Sequence, residues 1–265
     1  LGNVKLSANW MCACGEDGED AKLYDTVHAA GMELCPALGV SIPVGKDSLS
    51  MRTLWQTSRG AKERQVAPLS LIVSSFAPVK DVRRTVTPDL KPGPSVLVLV
   101  DLGRGKNRLG CSALAQVYNQ AGGIVPDVDD PALLKAFFAA TQELVERGLL
   151  LACHDRSDGG LFVTLAEMAF GGRQGMTVVI DALGADTLAA LFSEELGAVL
   201  QIADEHVHDA LEVIARHGLG QCRHIIGRPN ETGVIEITRM GGGAVFTERV
   251  SVLNRLWSDT TCRMQ

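Results

Sequence analysis

Residues 85–94, Thr-Val-Thr-Pro-Asp-Leu-Lys-Pro-Gly-Pro, constrain the fold of this chain more than any other stretch. Three prolines and a glycine in ten positions remove backbone donors, fix φ and push the preceding residues out of the helical region. Neither a helix nor a central strand can run through such a segment, so it reads as extended linker. It divides the 265 residues into two predicted bodies, 1–88 and 89–265.

Hydrophobic spacing fills in both sides. Leu23, Val27, Gly31, Leu34 and Leu38 fall on one face of a helix over 20–38, with Pro36 expected to end or kink it. A short strand follows at 40–44, then strands at 51–55 and 68–77 joined by a polar loop at 56–65. Beyond the linker, strands are predicted at 95–102, 149–154, 176–180, 198–202, 222–227, 234–238 and 244–247. Helices are predicted at 112–122, 131–148, 157–170, 185–192, 206–217 and 250–262, the second opened by Asp129-Asp130-Pro131. Gly241–Gly243 reads as a hairpin turn. Strands and helices mixed with hairpins imply an α+β (mixed α/β) fold and not an all-parallel sheet.

Composition excludes whole classes. Twenty-five Lys+Arg against 31 Asp+Glu leave a net charge of −6, the wrong sign for a protein that grips nucleic-acid backbone, so no nucleic-acid partner is expected. A local anion site built from amides and a few cations stays open. No apolar run reaches the roughly 18–20 residues of a bilayer span, so no membrane partner is expected. The opening LGNVKLSANW lacks the pattern of a signal peptide and begins in mid-pattern without Met, as a piece of a longer chain would. Seven cysteines without a C-x-x-C pair fit neither a disulfide framework nor a structural zinc site, and suggest a reduced, cytoplasmic protein.

Two stretches carry candidate chemistry. Gly45, Lys46, Asp47 and Ser48 follow a strand directly, placing an ammonium, a hydroxyl and free amides where a phosphate could sit. They are not a Walker A loop, which needs Gly at 40 and Ser or Thr at 47, where Val40 and Asp47 stand. The other reading is a strand end closed by a polar turn. His154-Asp155-Arg156-Ser157-Asp158-Gly159-Gly160 delivers carboxylates and a hydroxyl to a strand end before a glycine-rich helix start, suiting a hard cation and a phosphate. Asp158 is also placed to cap that helix, whereas Asp155 lies before the cap. His154 has the best neighbourhood of the six histidines, yet a strand-end histidine is more often structural. Glu194 and Glu195 are paired acids in a turn, which ordinarily means solvated surface. The basic loop 103–110 suits either phosphate contact or a plain connection.

Taken together, VKLSANWM (4–11), GED (18–20), ELCPALGVSIPVGKDSLSM (33–51), NRLGCSALAQVY (107–118), HDRSDGGLFVTLAEMAFGG (154–172) and FSEELGAVLQ (192–201) resemble phosphoribosylformylglycinamidine synthase in its large fused form. The resemblance covers essentially the whole chain and matches the second synthetase half. It implies an aminoimidazole ribonucleotide synthetase-like fold, a partial N-terminal-type subdomain followed by a complete C-terminal-type one. The implied activity is conversion of formylglycinamide ribonucleotide to formylglycinamidine ribonucleotide with ATP and glutamine, in purine biosynthesis. The implied cofactors are ATP/ADP and Mg2+; the implied partners are the remaining synthetase half and a glutaminase domain.

By that resemblance Gly45, Lys46, Asp47 and Ser48 face nucleotide or substrate phosphate, Asp155 binds magnesium, Ser157 contacts nucleotide, and Glu194 and Glu195 lie near the site. Small-form relatives carry Asn where Lys46 stands, there touching magnesium, and an ammonium cannot ligate a cation. The block that usually reads LGGS has Cys111 for a glycine, which narrows the loop's conformational range. The catalytic histidine, two further magnesium ligands and the glutaminase cysteine of the family fall outside these residues, so the isolated chain is expected to be inactive. Two alternatives stand beside this: another ATP-using member of the superfamily, or a noncatalytic half holding a structural Mg-nucleotide.

Overall fold

The computed structural model describes residues 1–241 and 243–264 and divides them into two compact units, Leu1–Lys80 and Asp81 onward. In the first unit β1 (Lys5–Met11) pairs in parallel with β2 (Ser41–Gly45) and antiparallel with β5 (Ser70–Phe76), in the order β2-β1-β5. The β1–β2 crossover holds α1 (Glu19–His28), a π-helical stretch (Ala29–Leu34) and α2 (Cys35–Leu38). The helix therefore runs through Pro36. The wide π turns precede the proline, which stands in the first turn of α2, where a missing N–H is tolerated. Gly39 (φ 72) closes it, with Gly39 N donating to Pro36 O and Val40 N to Cys35 O, a Schellman end.

The polar loop expected over 56–65 is instead half a hairpin, β3 (Arg52–Gln56) paired with β4 (Lys62–Val66). Lys-Glu-Arg-Gln-Val is solvated on both faces and so carries none of the apolar alternation by which strands are read. The unit's buried apolar residues, among those described, are Ala8, Cys12, Ala13 and Cys35, a thin core.

In the second unit a seven-stranded sheet has the order β12-β11-β8-β10-β6-β9-β7. Its strands are β6 (Ser95–Asp101), β7 (Ala152–Asp155), β8 (Gly175–Val179), β9 (Gly197–Ala203), β10 (Arg223–Asn230), β11 (Val234–Arg239) and β12 (Gly243–Arg249). Only β8 and β11 pair in parallel; the other neighbours are antiparallel. The helices are α3 (Ala113–Val117), α4 (Pro131–Glu146), α5 (Gly160–Gly172), α6 (Thr187–Phe192), α7 (Val207–Ile214) and α8 (Val250–Met264). Gly242, within the predicted hairpin turn, lies outside the described residues.

Strand β6 is wholly buried, and its alternation assigns side chains to two cores. Leu97 and Leu99 pack with Leu161, Leu165 and Met168 of α5, while Val96, Val98 and Val100 pack with Leu144 of α4 and Ile214 of α7. Each such fully buried side chain contributes about 1.5–3 kcal/mol. The helix expected over 112–122 shortens to α3, because Asn119 turns left-handed (φ 53) and Gln120 N bonds back to Ala115 O.

The proline-rich segment forms neither helix nor strand, as its residues dictate, bends at Pro88–Asp89 and Pro92–Pro94, and is fastened along this unit. Leu90 N donates to Met168 O, and the Gln201 amide bonds both Lys91 N and Lys91 O. No helix among the described residues is long and apolar enough to cross a membrane.

Candidate functional site

The first stretch closes β2. Its backbone continues the ladder past the strand end: Lys46 N donates to Ala8 O (3.1 Å), Ser48 N to Trp10 O (2.8 Å) and Cys12 N to Ser48 O (2.8 Å). A Cβ at Gly45 would penetrate the Ala8 carbonyl oxygen, so this glycine is required by the approach of two backbones. Lys46 and Asp47 are exposed and Ser48 is half-buried. The ammonium of Lys46 donates to Ser48 Oγ at 3.3 Å. The turn thus offers a cation, a hydroxyl and a carboxylate to solvent on a firm backbone.

The second stretch belongs to the other unit. Strands β6 and β7 both pair antiparallel with β9 and so run the same way, bringing their C-terminal ends, Asp101 and Asp155, to one edge of the sheet. Chain turns 102–112, 155–160 and 193–196 meet there. Their centre is Arg156, whose side chain is 2% exposed. Its Nε donates to Glu195 O (2.6 Å) and its Nη2 to Asp101 Oδ1 (2.5 Å). Asp101 also accepts the N–H groups of Gly103 (3.1 Å) and Gly105 (2.7 Å).

The paired acids are not solvated surface. Glu195 has a side chain 1% exposed and accepts from Arg108 Nε (2.6 Å) and Nη2 (2.7 Å); Arg108 in turn reaches Asp129 (2.8 Å). These bonds strengthen the charge on Arg108 and hold Asp129 below the usual carboxylate range. Glu194 Oε1 accepts Ala113 N and Gly159 N, both at 2.8 Å, tying the starts of α3 and α5 together. Both acids brace the site's frame. Arg104, Asn107 and Cys111 hold φ of 51°, 48° and 56° in the braced loop, so the cysteine adopts the left-handed backbone that a glycine would.

Upon this frame Asp155 stands open, with its side chain 76% exposed. Ser157 Oγ donates to its Oδ2. That hydroxyl first, and the neighbouring imidazole of His154 after it, hold the Asp155 carboxyl below its ordinary range despite partial burial. Asp158 does not cap α5. The cap position is Gly159 (φ 81), whose own N–H goes to Glu194, and Asp158 is exposed. A Cβ on Gly160 (φ 65) would press on the backbone of Phe192 and Ser193, which explains the second glycine. His154 Nε2 meets Glu167 Oε2 at 3.0 Å, and Trp257 Nε1 donates to Glu167 Oε1 at 3.1 Å. Burial pushes the Cys153 thiol up to about 11, so it is no nucleophile at neutral pH.

Chemically, the rim joins an ionised carboxylate, a hydroxyl and the positive end of a 13-residue helix. No three His, Cys, Asp or Glu residues among those described cluster to hold a metal. A single open carboxylate such as Asp155 is the donor that Mg2+ accepts when a ligand's phosphates and water fill its other positions. A cavity of about 90 Å³ lined by Gly103, Lys106, Asp129, Leu133 and Glu195 lies beside the frame and is far below the ~300 Å³ of typical ligand pockets; a larger one, about 690 Å³, is lined by Val179, Asp204, Ile225 and Arg228. Sequence reasoning missed Arg156, Asp101 and Arg108 as the frame; the signals were Arg156 lying between Asp155 and Asp158, and Arg108 within the basic loop 103–110.

A mixed sheet whose strand ends present an anionic rim beside a helix start is an α+β architecture suited to a cation-bridged anion. A family model described as AIR synthase related protein, C-terminal domain, matches residues 91–239, and the chain belongs to that family. A second, described as FGAR-AT PurM_N-like domain, matches residues 1–78. Among solved structures, T. maritima PurL complexed with ATP is similar at TM-score 0.62 and 17% identity, over 95% of this chain and 38% of that one. T. maritima PurL complexed with FGAR is similar at 0.64 and 17%, over 94% and 39%. Hydrogenase maturation protein HypE in complex with ATP is similar at 0.63 and 16%, over 94% and 75%. The chain thus spans well under half of the PurL chains it matches.

Proposed function

We propose that this chain is part of an ATP-dependent carbon–nitrogen ligase of purine biosynthesis, one that converts formylglycinamide ribonucleotide to formylglycinamidine ribonucleotide with glutamine as nitrogen donor. The family, the two-part match and the likeness to PurL, described with ATP and with FGAR, support this reading. On this view the chain acts in the cytoplasm beside a further synthetase half and a glutaminase domain, and the division of labour follows subdomains 1–88 and 89–265.

The observation that carries the nucleotide site is Asp155, an open, ionised carboxylate held by Ser157 just ahead of α5. When bound, Mg2+ would neutralise phosphate charge there. The chain's own residues orient it: Ser157 fixes the carboxylate, and Glu194, Glu195 and Arg156 hold the surrounding turns. In the other unit Lys46 and Ser48 address a phosphate by charge and hydroxyl, while Gly45 and Asp47 complete the turn.

Calorimetric titration with ADP and MgCl2 tests the assignment. Asp155→Ala is expected to weaken binding at least tenfold and Ser157→Ala less. Equal binding by wild type and Asp155→Ala overturns it, and loss in Lys46→Ala alone would move the nucleotide to the first unit. With ATP, ammonia and formylglycinamide ribonucleotide, the isolated chain is expected to show no turnover.

A further inference from the structure

The core under α4 and α7 draws on β6 and β9 but takes no residue from β8 or β10. Those two strands carry the same sheet face onward. Ile225 of β10 pairs with Val98, which lies in that core, and Arg228 pairs with Thr177, two residues from Val179 on β8. Ile225 is 55% exposed, and Thr177, Val179 and Arg228 are exposed with it. The step from the helix layer to the bare strands forms the cavity of about 690 Å³. Val96, Val179, Val207 and Ile225 give it apolar walls, and Thr177, Asp204 and Arg228 are its polar members. Ligand pockets typically run to about 300–1,000 Å³ with this balance of lining. The cavity is not the Asp155 rim. The register of β6 on β9 pairs Ser95 with Ala203 and Asp101 with Gly197, so six residues of strand, about 20 Å, lie between them.

The polar members are set for an anion. Arg228 Nη1 donates to both oxygens of Asp204 (2.8 and 2.9 Å) and to Ser95 O (3.3 Å). Asp204 is placed in turn by its own N–H, which donates to Pro94 O at 3.1 Å. The guanidinium is therefore oriented in advance, which reduces the entropy lost on binding. Its Nε and Nη2 have no partner among the described residues, and that edge is the fork that matches a carboxylate with two parallel hydrogen bonds. Thr177 Oγ1 accepts from Asn230 Nδ2 (3.3 Å) and donates to no described residue, so its hydroxyl proton is available. Asp204 is the one other ionisable residue in the lining, and its charge opposes a dianion more than a monoanion.

We propose that this cavity binds a small organic monocarboxylate, its carboxylate on the free edge of Arg228 with Thr177 and its apolar body against Val179, Val207 and Ile225. The site is separate from the nucleotide reading and does not depend on it.

The experiment is methyl NMR of the whole chain titrated with 2-naphthoate, and with 2-naphthalenemethanol as the uncharged analogue. It is run on wild type, Arg228→Gln and Ile225→Glu, each checked by its thermal midpoint. Both substitutions fall on exposed side chains, so the fold should hold. Naphthoate is expected to shift the Val179, Val207 and Ile225 methyls saturably, with a Kd of about 1 mM or tighter, as a ligand of this size allows. Arg228→Gln should weaken naphthoate about tenfold or more and leave the alcohol unchanged, because only a charge-assisted fork is lost. Ile225→Glu, which adds a negative charge at the wall, should abolish naphthoate binding. Equal naphthoate affinity in wild type and Arg228→Gln would overturn the proposal. So would shifts that fail to saturate or that gather on the first unit.

Discussion

Asp101→Ala is the sharpest test of the frame under the rim. In the folded chain Asp101 and Arg156 have side chains only 4% and 2% exposed and meet at 2.5 Å. Removing the carboxylate leaves a buried guanidinium facing no anion and frees the N–H groups of Gly103 and Gly105. Breaking a buried pair from one side costs about 3–5 kcal/mol. With a urea m-value of about 2–3 kcal/mol/M, the unfolding midpoint should fall by about 1–2 M. The assay is urea unfolding followed by Trp257 fluorescence, in a background with Trp10→Phe and Trp55→Phe, whose tryptophans belong to the other unit. Trp10 Nε1 has no hydrogen-bond partner, so that replacement gives up little. Arg83→Ala is the control, since the Arg83 side chain is 86% exposed and its bond to Asp81 should matter by less than about 1 kcal/mol. If Asp101→Ala shifts the midpoint no further than Arg83→Ala, the account of a buried ionic frame is wrong.

Two further outcomes follow. Gly45→Ala should lower the stability of the first unit by about 1–3 kcal/mol, because its methyl must displace the Ala8 carbonyl; Lys46→Ala, on the exposed side of the same turn, should leave stability within about 0.5 kcal/mol. Circular dichroism melts of the two variants would expose an error if their order reversed. Asp81, Asp89, Asp129, Glu143 and Asp155 all have carboxyls held below their ordinary range in the folded chain, chiefly by Arg83, Lys91, Arg108, His217 and Ser157 in that order. The unfolded chain then binds more protons in acid, so stability rises with pH. Their contribution is complete above the unfolded values of about 4 and is lost as pH falls through the lower folded values. Urea midpoints should be level from pH 7 to 5 and drop below about pH 4; a midpoint that climbed on acidification would contradict these assignments.

Much of the second unit was legible because its strands are short apolar runs between glycines and its α4 is announced by Asp130-Pro131. Asp130 indeed bonds Ala132 N and Leu133 N. Strand β4 was not, since a ribbon wet on both faces leaves no hydrophobic trace. Nor could local sequence show that Glu195 is buried. Its partner Arg108 is 87 residues away, and only the pairing of β6 with β9 brings the two turns together. Asp155 was legible as a strand-end acid ahead of a helix, whereas the absence of an Asp158 cap was not. The two glycines at 159 and 160 allow a turn that puts the Asp158 carboxylate elsewhere.

The left-handed residues of the 102–112 turn have a consequence for the order in which the molecule forms. An L-residue at positive φ costs roughly 1 kcal/mol, so Arg104, Asn107 and Cys111 would not adopt these angles in a free chain. What compels them comes from far along the polypeptide: Glu195 grips Arg108, and Leu183 O receives Asn107 Nδ2 at 2.6 Å. The turn can settle only once those distant segments have docked. Its backbone angles are thus a property of the assembled unit and not of the local sequence.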